Sequence, residues 1–341
     1  MQHLRIARST LSTTGLLYRA SPAAPRCVAF STARTACTES PSSVSAQKKR
    51  SVLPPYAPVG VAAALEATPN SPAKSTLFEK EFFLADRVAL VSGANRGLGL
   101  EMAMALIEAG ARAVYCTDLP KTPGDEWQKV QQYLDRMDGA GRLEYISADV
   151  RDQETMWKVG KMIGDKEGRM DVCVAAAGIL KPDKDCLEYD AKTFQEVMDV
   201  NVNGVPYTAQ AAGRQMARFG NGGSIILIAS MSGSITNMYQ KWVSYNTSKS
   251  AVKQMGRSMA CELTAQGIRV NTLSPGYIYT NLTAQTLDSQ PGLLEKWSSQ
   301  NPSGRLGRPD ELRGVIIWLA SDASTYCTGS DIIVDGGHRA W

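Results

Sequence analysis

The stretch "SYNTSKSAV" at 244–252 sets Tyr245 four positions before Lys249. On a helix that spacing brings the two side chains together on one face. A tyrosine titrates near ~10 and is a poor base at neutral pH unless its phenolate is stabilised, which a lysine charge one turn away would do. Upstream, in "IASMSG", the hydroxyl of Ser230 could polarise a carbonyl or steady an alkoxide. The chain has two histidines, His3 and His338, so a Ser-His-Asp triad or a His-rich metal site has little to be built from. If a proton is moved here, a group other than histidine moves it.

"VALVSGANRGLGLEMA" places Gly93, Gly97 and Gly99 where an apolar strand runs into a helix. Glycines let the backbone turn tightly there and approach a pyrophosphate, whose charge the helix N-terminus stabilises. A P-loop would continue with Lys and Ser/Thr after the last glycine, but Leu100 and Glu101 follow. Asp118 ends "VYCTD" at the distance expected of the acid that binds an adenosine ribose. Its carboxylate would accept from the ribose hydroxyls of NAD and repel the 2′-phosphate of NADP, so NAD is favoured. Arg96 keeps NADP open, because a guanidinium beside Gly97 could pair with that phosphate.

These residues need a frame. "RVALVSG", "RAVYCTD", "LEYISADV", "MDVCVAAAG", "GSIILIAS", "IRVNTLSPG" and "GSDIIVDGG" read as seven strands, separated by stretches of helical periodicity. Near-continuous apolar strands alternating with helices imply an α/β fold: a single Rossmann-type, doubly wound domain with a seven-stranded parallel sheet and helices on both faces. No apolar run approaches the ~18 residues of a membrane span, so no membrane insertion is expected.

Charge divides the chain. The formal net charge is +4, yet residues 1–50 hold eight Lys/Arg against the single acid Glu39, leaving 29 basic and 32 acidic residues in the remainder. A folded basic surface is not indicated, which argues against nucleic acid as a partner. The first 50 residues, rich in Arg, Ser, Thr and Ala, have the composition of a mitochondrial transit peptide; a disordered tail on a cytoplasmic protein is the alternative. Residues 51–76, with "LPPYAP" and "TPNSPAK", read as a Pro-rich linker, and 77–341 as the folded domain. Seven cysteines without a CxxC pair favour neither a zinc site nor a disulfide framework and read as reduced, mostly buried thiols; no metal is expected.

From about residue 82 to the end the sequence resembles the short-chain dehydrogenase/reductase family. The resemblance rests on Gly93, Gly97 and Gly99, "DV" at Asp149–Val150, "AAAG" at 175–178, "VN" ending at Asn201, Ser230, Tyr245 with Lys249, and "SPGYIYT" at 274–280. It implies that Tyr245 donates or accepts the proton and that Lys249 lowers its pKa and binds the nicotinamide ribose. Ser230 would orient the substrate oxygen, and Asn201 would complete a water-linked relay through Lys249. Ser232 competes for the serine role; Ser230 is preferred because Gly233 completes an S-x-x-G arrangement.

On the cofactor side the resemblance implies that Asn95, Arg96 and Leu98 lie with the three glycines around the pyrophosphate. Asp149 and Val150 would contact the adenine, and Ala176 and Gly178 would let a strand end approach the cofactor. Pro275 and Gly276 would set a turn that lets the Ile278 backbone and the Thr280 hydroxyl hold the carboxamide. Ala175 and Ala176 depart from the family's usual asparagine pair, which puts the bracing of that strand end in question.

Within the family, "IIVDGGHRAW", "LSPGYIYT" and "VSYNTSKSAV" are similar to fungal polyol dehydrogenases and ketose reductases. That implies a sugar alcohol/ketose pair as substrate, with the polar segment between Tyr279 and Gly304 as a lid over it. A mitochondrial 3-oxoacyl-(acyl carrier protein) reductase, which would need a basic docking patch, and a non-catalytic nicotinamide-binding sensor or scaffold are the alternatives. Family members are commonly homo-tetramers or homo-dimers, and the closing "HRAW" could belong to such an interface.

Overall fold

β1 (Val88–Ser92) has no residue open to solvent. Its side chains alternate: Val88 and Leu90 enter one hydrophobic cluster, while Ala89 and Val91 enter another on the opposite face. A strand buried in every position needs cover on both sides, and helices supply it. A computed structural model describes residues 58–280, 283, 284, 287 and 290–341. All of these fall within one unit, Arg50–Trp341.

β2 (Ala113–Asp118), β3 (Arg142–Ser147), β4 (Val172–Ala175), β5 (Gly223–Ile228), β6 (Ile268–Pro275) and β7 (Asp331–Val334) complete a seven-stranded sheet. Its order is β3-β2-β1-β4-β5-β6-β7, and every pairing is parallel. The seven expected strands are all present, although β3 and β4 stop short of Asp149 and Gly178. The chain winds one way from β1 to β2 and the other way from β1 to β4, so a crevice opens at the carboxyl ends of these strands.

The described residues form nine α-helices, α1 to α9 in chain order. α2 (Gly97–Glu108), α3 (Asp125–Leu134) and α9 (Arg313–Ala320) cover one face of the sheet, through Leu106, Trp127 and Ile316 among others. α4 (Gln153–Glu167), α6 (Gly204–Phe219) and α7 (Val243–Leu263) cover the other, with Met156, Met216 and Val252 inward. Each such side chain contributes about 1.5–3 kcal/mol through burial. α5 (Ala191–Met198) runs into α6 through a π-helical turn at Asp199–Asn203, which the helical periodicity does not announce. α8 (Leu293–Ser299) lies in the segment expected to be the lid.

In the Pro-rich stretch the structure has one short helix, α1 (Gly60–Glu66), none of whose residues is buried. The expected transit segment lies outside the described residues, as do Cys27 and Cys37 and positions 281, 282, 285, 286, 288 and 289 of the expected lid. The thiol expectation needs correction. The five described cysteines are free, but only Cys116 and Cys173 are buried, with burial pushing each thiol up to about 12; Cys186 and Cys261 are exposed. No helix among the described residues is long and apolar enough to cross a membrane. Nor is any group of three or more His, Cys, Asp or Glu there placed to hold a metal.

Candidate active site

Tyr245 and Lys249 lie in the first two turns of α7, which packs on β6 and on the short turn Met231–Gly233 that follows β5. The Lys249 ammonium is 5.7 Å from the centre of the Tyr245 ring and donates to the Ile228 carbonyl at 2.9 Å. Burial pushes the lysine down to about 8. Burial also raises the Tyr245 phenol above its ordinary value, and the Ser230 hydroxyl opposes that rise. The net direction in the free protein is therefore opposite to the expected lowering by Lys249. Desolvation of the phenolate wins because this end of α7 lies under an apolar roof.

Ser230 follows β5 and caps the Met231–Gly233 turn, its oxygen accepting from the Ser232 N–H at 3.2 Å. Of the two serines, Ser230 is the one whose hydroxyl lowers the Tyr245 phenol against the effect of burial. Ser232 instead lines a separate cleft of about 330 Å3 with Ser234, Thr236 and Thr247. The geometry thus separates the two serines that the sequence left in competition.

Asn201 sits in the π-helical turn and is wholly buried. Its amide clamps Ile179 from both sides, accepting from the Ile179 N–H at 2.8 Å and donating to the Ile179 carbonyl at 2.9 Å. It also donates to Ser248 Oγ at 3.1 Å, and Ser248 Oγ donates to the Tyr245 carbonyl at 2.7 Å. The side chain makes no direct bond to Lys249, so a relay between them has to use the Asn201 main chain or an intervening group. The clamp also bears on the missing asparagine pair: the end of β4 is held by Asn201 and by the Ala177 N–H donating to Ser92 Oγ at 3.4 Å. Gly178 lies between the two sites, its missing Cβ position 3.4 Å from Asn201 Oδ1 and 3.5 Å from Lys249 Nζ.

The glycine turn explains itself sterically. Gly93 has φ +67, and a Cβ there would stand 2.6 Å from Ala177 Cα, while one on Gly99 would overlap the Gly93 carbonyl. These two glycines let β1, β4 and α2 converge. Gly97 is different: at φ +59 it opens α2, and a Cβ built on it meets nothing within 4 Å. Free N–H groups of a helix N-terminus facing open space form a cradle for a phosphate, and no acidic residue occupies that first turn. This arrangement fits a dinucleotide. Arg96, exposed beside it, makes no ion pair among the described residues. Leu98, partly buried, packs against the core below.

Asp118 ends β2, and its carboxylate accepts from the N–H groups of Asn95 at 3.1 Å and Leu119 at 2.8 Å. The Asn95 side chain in turn accepts from the Gly124 N–H at 2.8 Å. The acid is thereby fixed beside the glycine turn, at the place a ribose would reach. Asp149 already has a partner: its carboxylate is gripped by the Arg151 guanidinium at 2.7 and 3.0 Å, which holds it below the usual carboxylate range. An adenine contact from that side chain would compete with an ion pair already formed. Val150 is buried against Gly204.

Pro275 ends β6, and Gly276 fits where a Cβ would lie 2.6 Å from Asp335 Cα. Ile278 is buried, and its carbonyl accepts from Thr283 Oγ1 at 2.8 Å; Thr280 also bonds to Thr283. Thr280 and Gly97 share the lining of a cavity of about 370 Å3, so the two motifs meet although distant in sequence. Ala176 packs against the core at the end of β4.

Sequence reasoning missed the roof. Trp242 stands edge-on to Tyr245, ring centres 6.1 Å apart, and edge-on to Trp297 of α8 at the same separation. Tyr277 stacks face to face on Trp297 at 4.2 Å. With Met231, Leu287, Leu293 and Leu306 these form a third apolar cluster, on which the Tyr245 ring packs. The expected polar lid therefore turns apolar side chains inward. One signal was available: Trp242 precedes Tyr245 by three positions, and Tyr277 lies inside "SPGYIYT".

The family model described as Enoyl-(Acyl carrier protein) reductase matches residues 93–339. Sorbose reductase sou1 of Schizosaccharomyces pombe is 38% identical over 259 residues, covering 75% of this chain and 97% of that protein. D-arabinitol 2-dehydrogenase (ribulose-forming) of Candida tropicalis is 36% identical over 268 residues, covering 76% and 95%. Among solved structures, a short-chain type dehydrogenase/reductase from Mycobacterium marinum superimposes with a TM-score of 0.71 at 39% identity, covering 76% of this chain and 98% of that one.

Proposed function

The chain belongs to the short-chain dehydrogenase/reductase family, an oxidoreductase family that uses NAD or NADP, and from that premise we propose that it interconverts a ketose and a sugar alcohol. The observation that carries the reading is the convergence of Ser230, Tyr245 and Lys249 at the carboxyl end of β5, with the Tyr245 ring packed on the apolar roof. The two relatives, a sorbose reductase and an arabinitol dehydrogenase, support the substrate class.

In reduction, the Tyr245 hydroxyl gives its proton to the substrate oxygen; in oxidation, the phenolate takes it from the alcohol. Ser230 donates to that same oxygen and holds it against Tyr245. Lys249 places a positive charge beside the phenolate and binds the nicotinamide ribose, and Asn201 holds the strand end that flanks both. Gly93, Asn95, Gly97, Gly99 and Asp118 would hold a nicotinamide dinucleotide, which would supply or accept the hydride. The roof excludes water, which strengthens each of these polar interactions. Asp118, fixed by two backbone N–H groups, favours NAD; Arg96 is the residue that would serve NADP.

A carrier-protein reductase is less well supported. Lys181, Lys184 and Lys241, on the loops after β4 and before α7, are each paired with a carboxylate, so they offer an acidic carrier little free charge. A scaffold has no use for all four of Ser230, Tyr245, Lys249 and Asn201. Composition supports residues 1–50 as a mitochondrial transit segment and residence in the matrix, with 51–76 as linker and 77–341 as the enzyme. A homo-tetramer or homo-dimer is the expected assembly, and the exposed Trp341 suits such a contact. The reaction is tested by reduction of ketoses with NADH and NADPH by the full chain, beside Tyr245→Phe. Import into isolated mitochondria with trimming near residue 50 tests the location; an uncleaved product left outside contradicts it.

A further inference from the structure

Beside the roof over Tyr245 lies a buried polar group that its own packing leaves unpaired. Asn237 lies in the loop between the Met231–Gly233 turn and α7 and is 1% exposed. Its Nδ2 donates to the Tyr277 hydroxyl at 3.1 Å, but among the described residues no donor reaches its Oδ1, which is fully buried. A carbonyl oxygen buried without a partner costs about 1–3 kcal/mol, so its presence asks for a reason.

The surroundings supply one. Tyr277, which Asn237 holds, stacks on Trp297 and belongs to the apolar cluster on which the Tyr245 ring packs. A site walled by Met231, Trp242, Tyr277 and Trp297 can exclude water, but it cannot by itself tell a hydroxylated carbon from a methylene. An unpaired acceptor on the residue that bonds Tyr277 of that wall can. It is satisfied by a ligand O–H and left bare by a hydrogen, an ether or a carbonyl.

We propose that Asn237 is a specificity-determining residue, whose Oδ1 accepts a hydrogen bond from a substrate hydroxyl other than the reacting one. The inference rests on the ketose/sugar alcohol reading and sharpens it: the ligand must carry a second hydroxyl near the reacting carbon. The competing account is structural, in which Asn237 only props Tyr277.

The test measures kcat/KM for a ketose that turns over and for its deoxy analogues, each lacking one hydroxyl. Wild type should discriminate against one analogue by about 100-fold or more. Asn237→Ala should lose about 100-fold on the parent ketose and little on that analogue, so the discrimination collapses to within about threefold. Asn237→Asp keeps an acceptor and should keep the discrimination. Tyr277→Phe removes the prop and not the acceptor, and should keep it as well. Titration of NADH binding to each variant reports an intact fold. The proposal is overturned if no deoxy analogue is penalised, if Asn237→Ala slows parent and analogue equally, or if Tyr277→Phe abolishes discrimination as Asn237→Ala does. Failure of every ketose and polyol to turn over would instead sink the proposed reaction, and the role of Asn237 with it.

Discussion

The Lys249 ammonium, 4% exposed, donates to the Ile228 carbonyl oxygen at 2.9 Å, tying α7 to the last residue of β5. That contact holds a charge where burial disfavours it, and the consequence can be measured without any substrate.

Lys249 titrates at about 8 in the folded protein against 10.5 for an ordinary lysine. Between those values the unfolded chain holds the proton and the folded chain does not, so this group makes stability rise with pH from 8 to 10.5. At pH 7 the buried charge therefore costs about 3 kcal/mol. Lys249→Met, similar in size and uncharged, removes that cost but leaves the Ile228 carbonyl unpaired, at about 1–2 kcal/mol. The variant should be inactive yet more stable than wild type in urea at pH 7, with the gap closing towards pH 10. A gap that widens with pH would contradict the assignment.

Gly97 and Gly99 should separate binding from folding. Gly99→Ala forces a Cβ onto the Gly93 carbonyl and should lower Tm by several degrees. Gly97→Val has open space around it and costs about 1–2 kcal/mol for its positive φ, but it fills the cradle at the start of α2. NADH affinity should fall at least tenfold in Gly97→Val while the protein remains folded by circular dichroism. Unchanged affinity would remove the phosphate from that turn.

Asp118 sets the cofactor preference in this account. Asp118→Ala should move the NADPH/NADH ratio of kcat/KM upward by about tenfold or more, since it removes repulsion of the 2′-phosphate and leaves Arg96 in place. The double variant Asp118→Ala/Arg96→Ala should lose part of that gain. An unmoved ratio in the single variant would show that the acid does not face the ribose.

Much of the site was legible because its parts are local. Gly93 to Gly99, Tyr245 to Lys249 and the seven strands each follow from spacing within one turn or one strand, where backbone geometry leaves few choices. The roof was not legible, because Asn237, Trp242, Tyr277 and Trp297 come from three separate segments that the sheet brings together. The apolar inner face of the expected lid was not legible for a related reason: its composition is largely polar, while the described Leu287, Leu293 and Trp297 are buried in the cluster beside Tyr245. Asn201 was found by position, but its clamp on Ile179 depends on a π-helical turn that leaves no mark in the apolar pattern. The direction of the Tyr245 shift depends on burial by that same roof, so it could not be read from the four-residue spacing to Lys249.

The central claim is that Tyr245 carries the proton in a ketose/sugar alcohol reaction. The most direct measurement runs wild type and Tyr245→Phe over one panel of ketoses and polyols, with NADH/NAD and NADPH/NADP in parallel, alongside cofactor titrations. Loss of the Tyr245 hydroxyl should cut kcat by about 1000-fold or more with cofactor affinity within about threefold of wild type. A wild type that binds cofactor but turns over no member of the panel, or a Tyr245→Phe variant that keeps its rate, would contradict it.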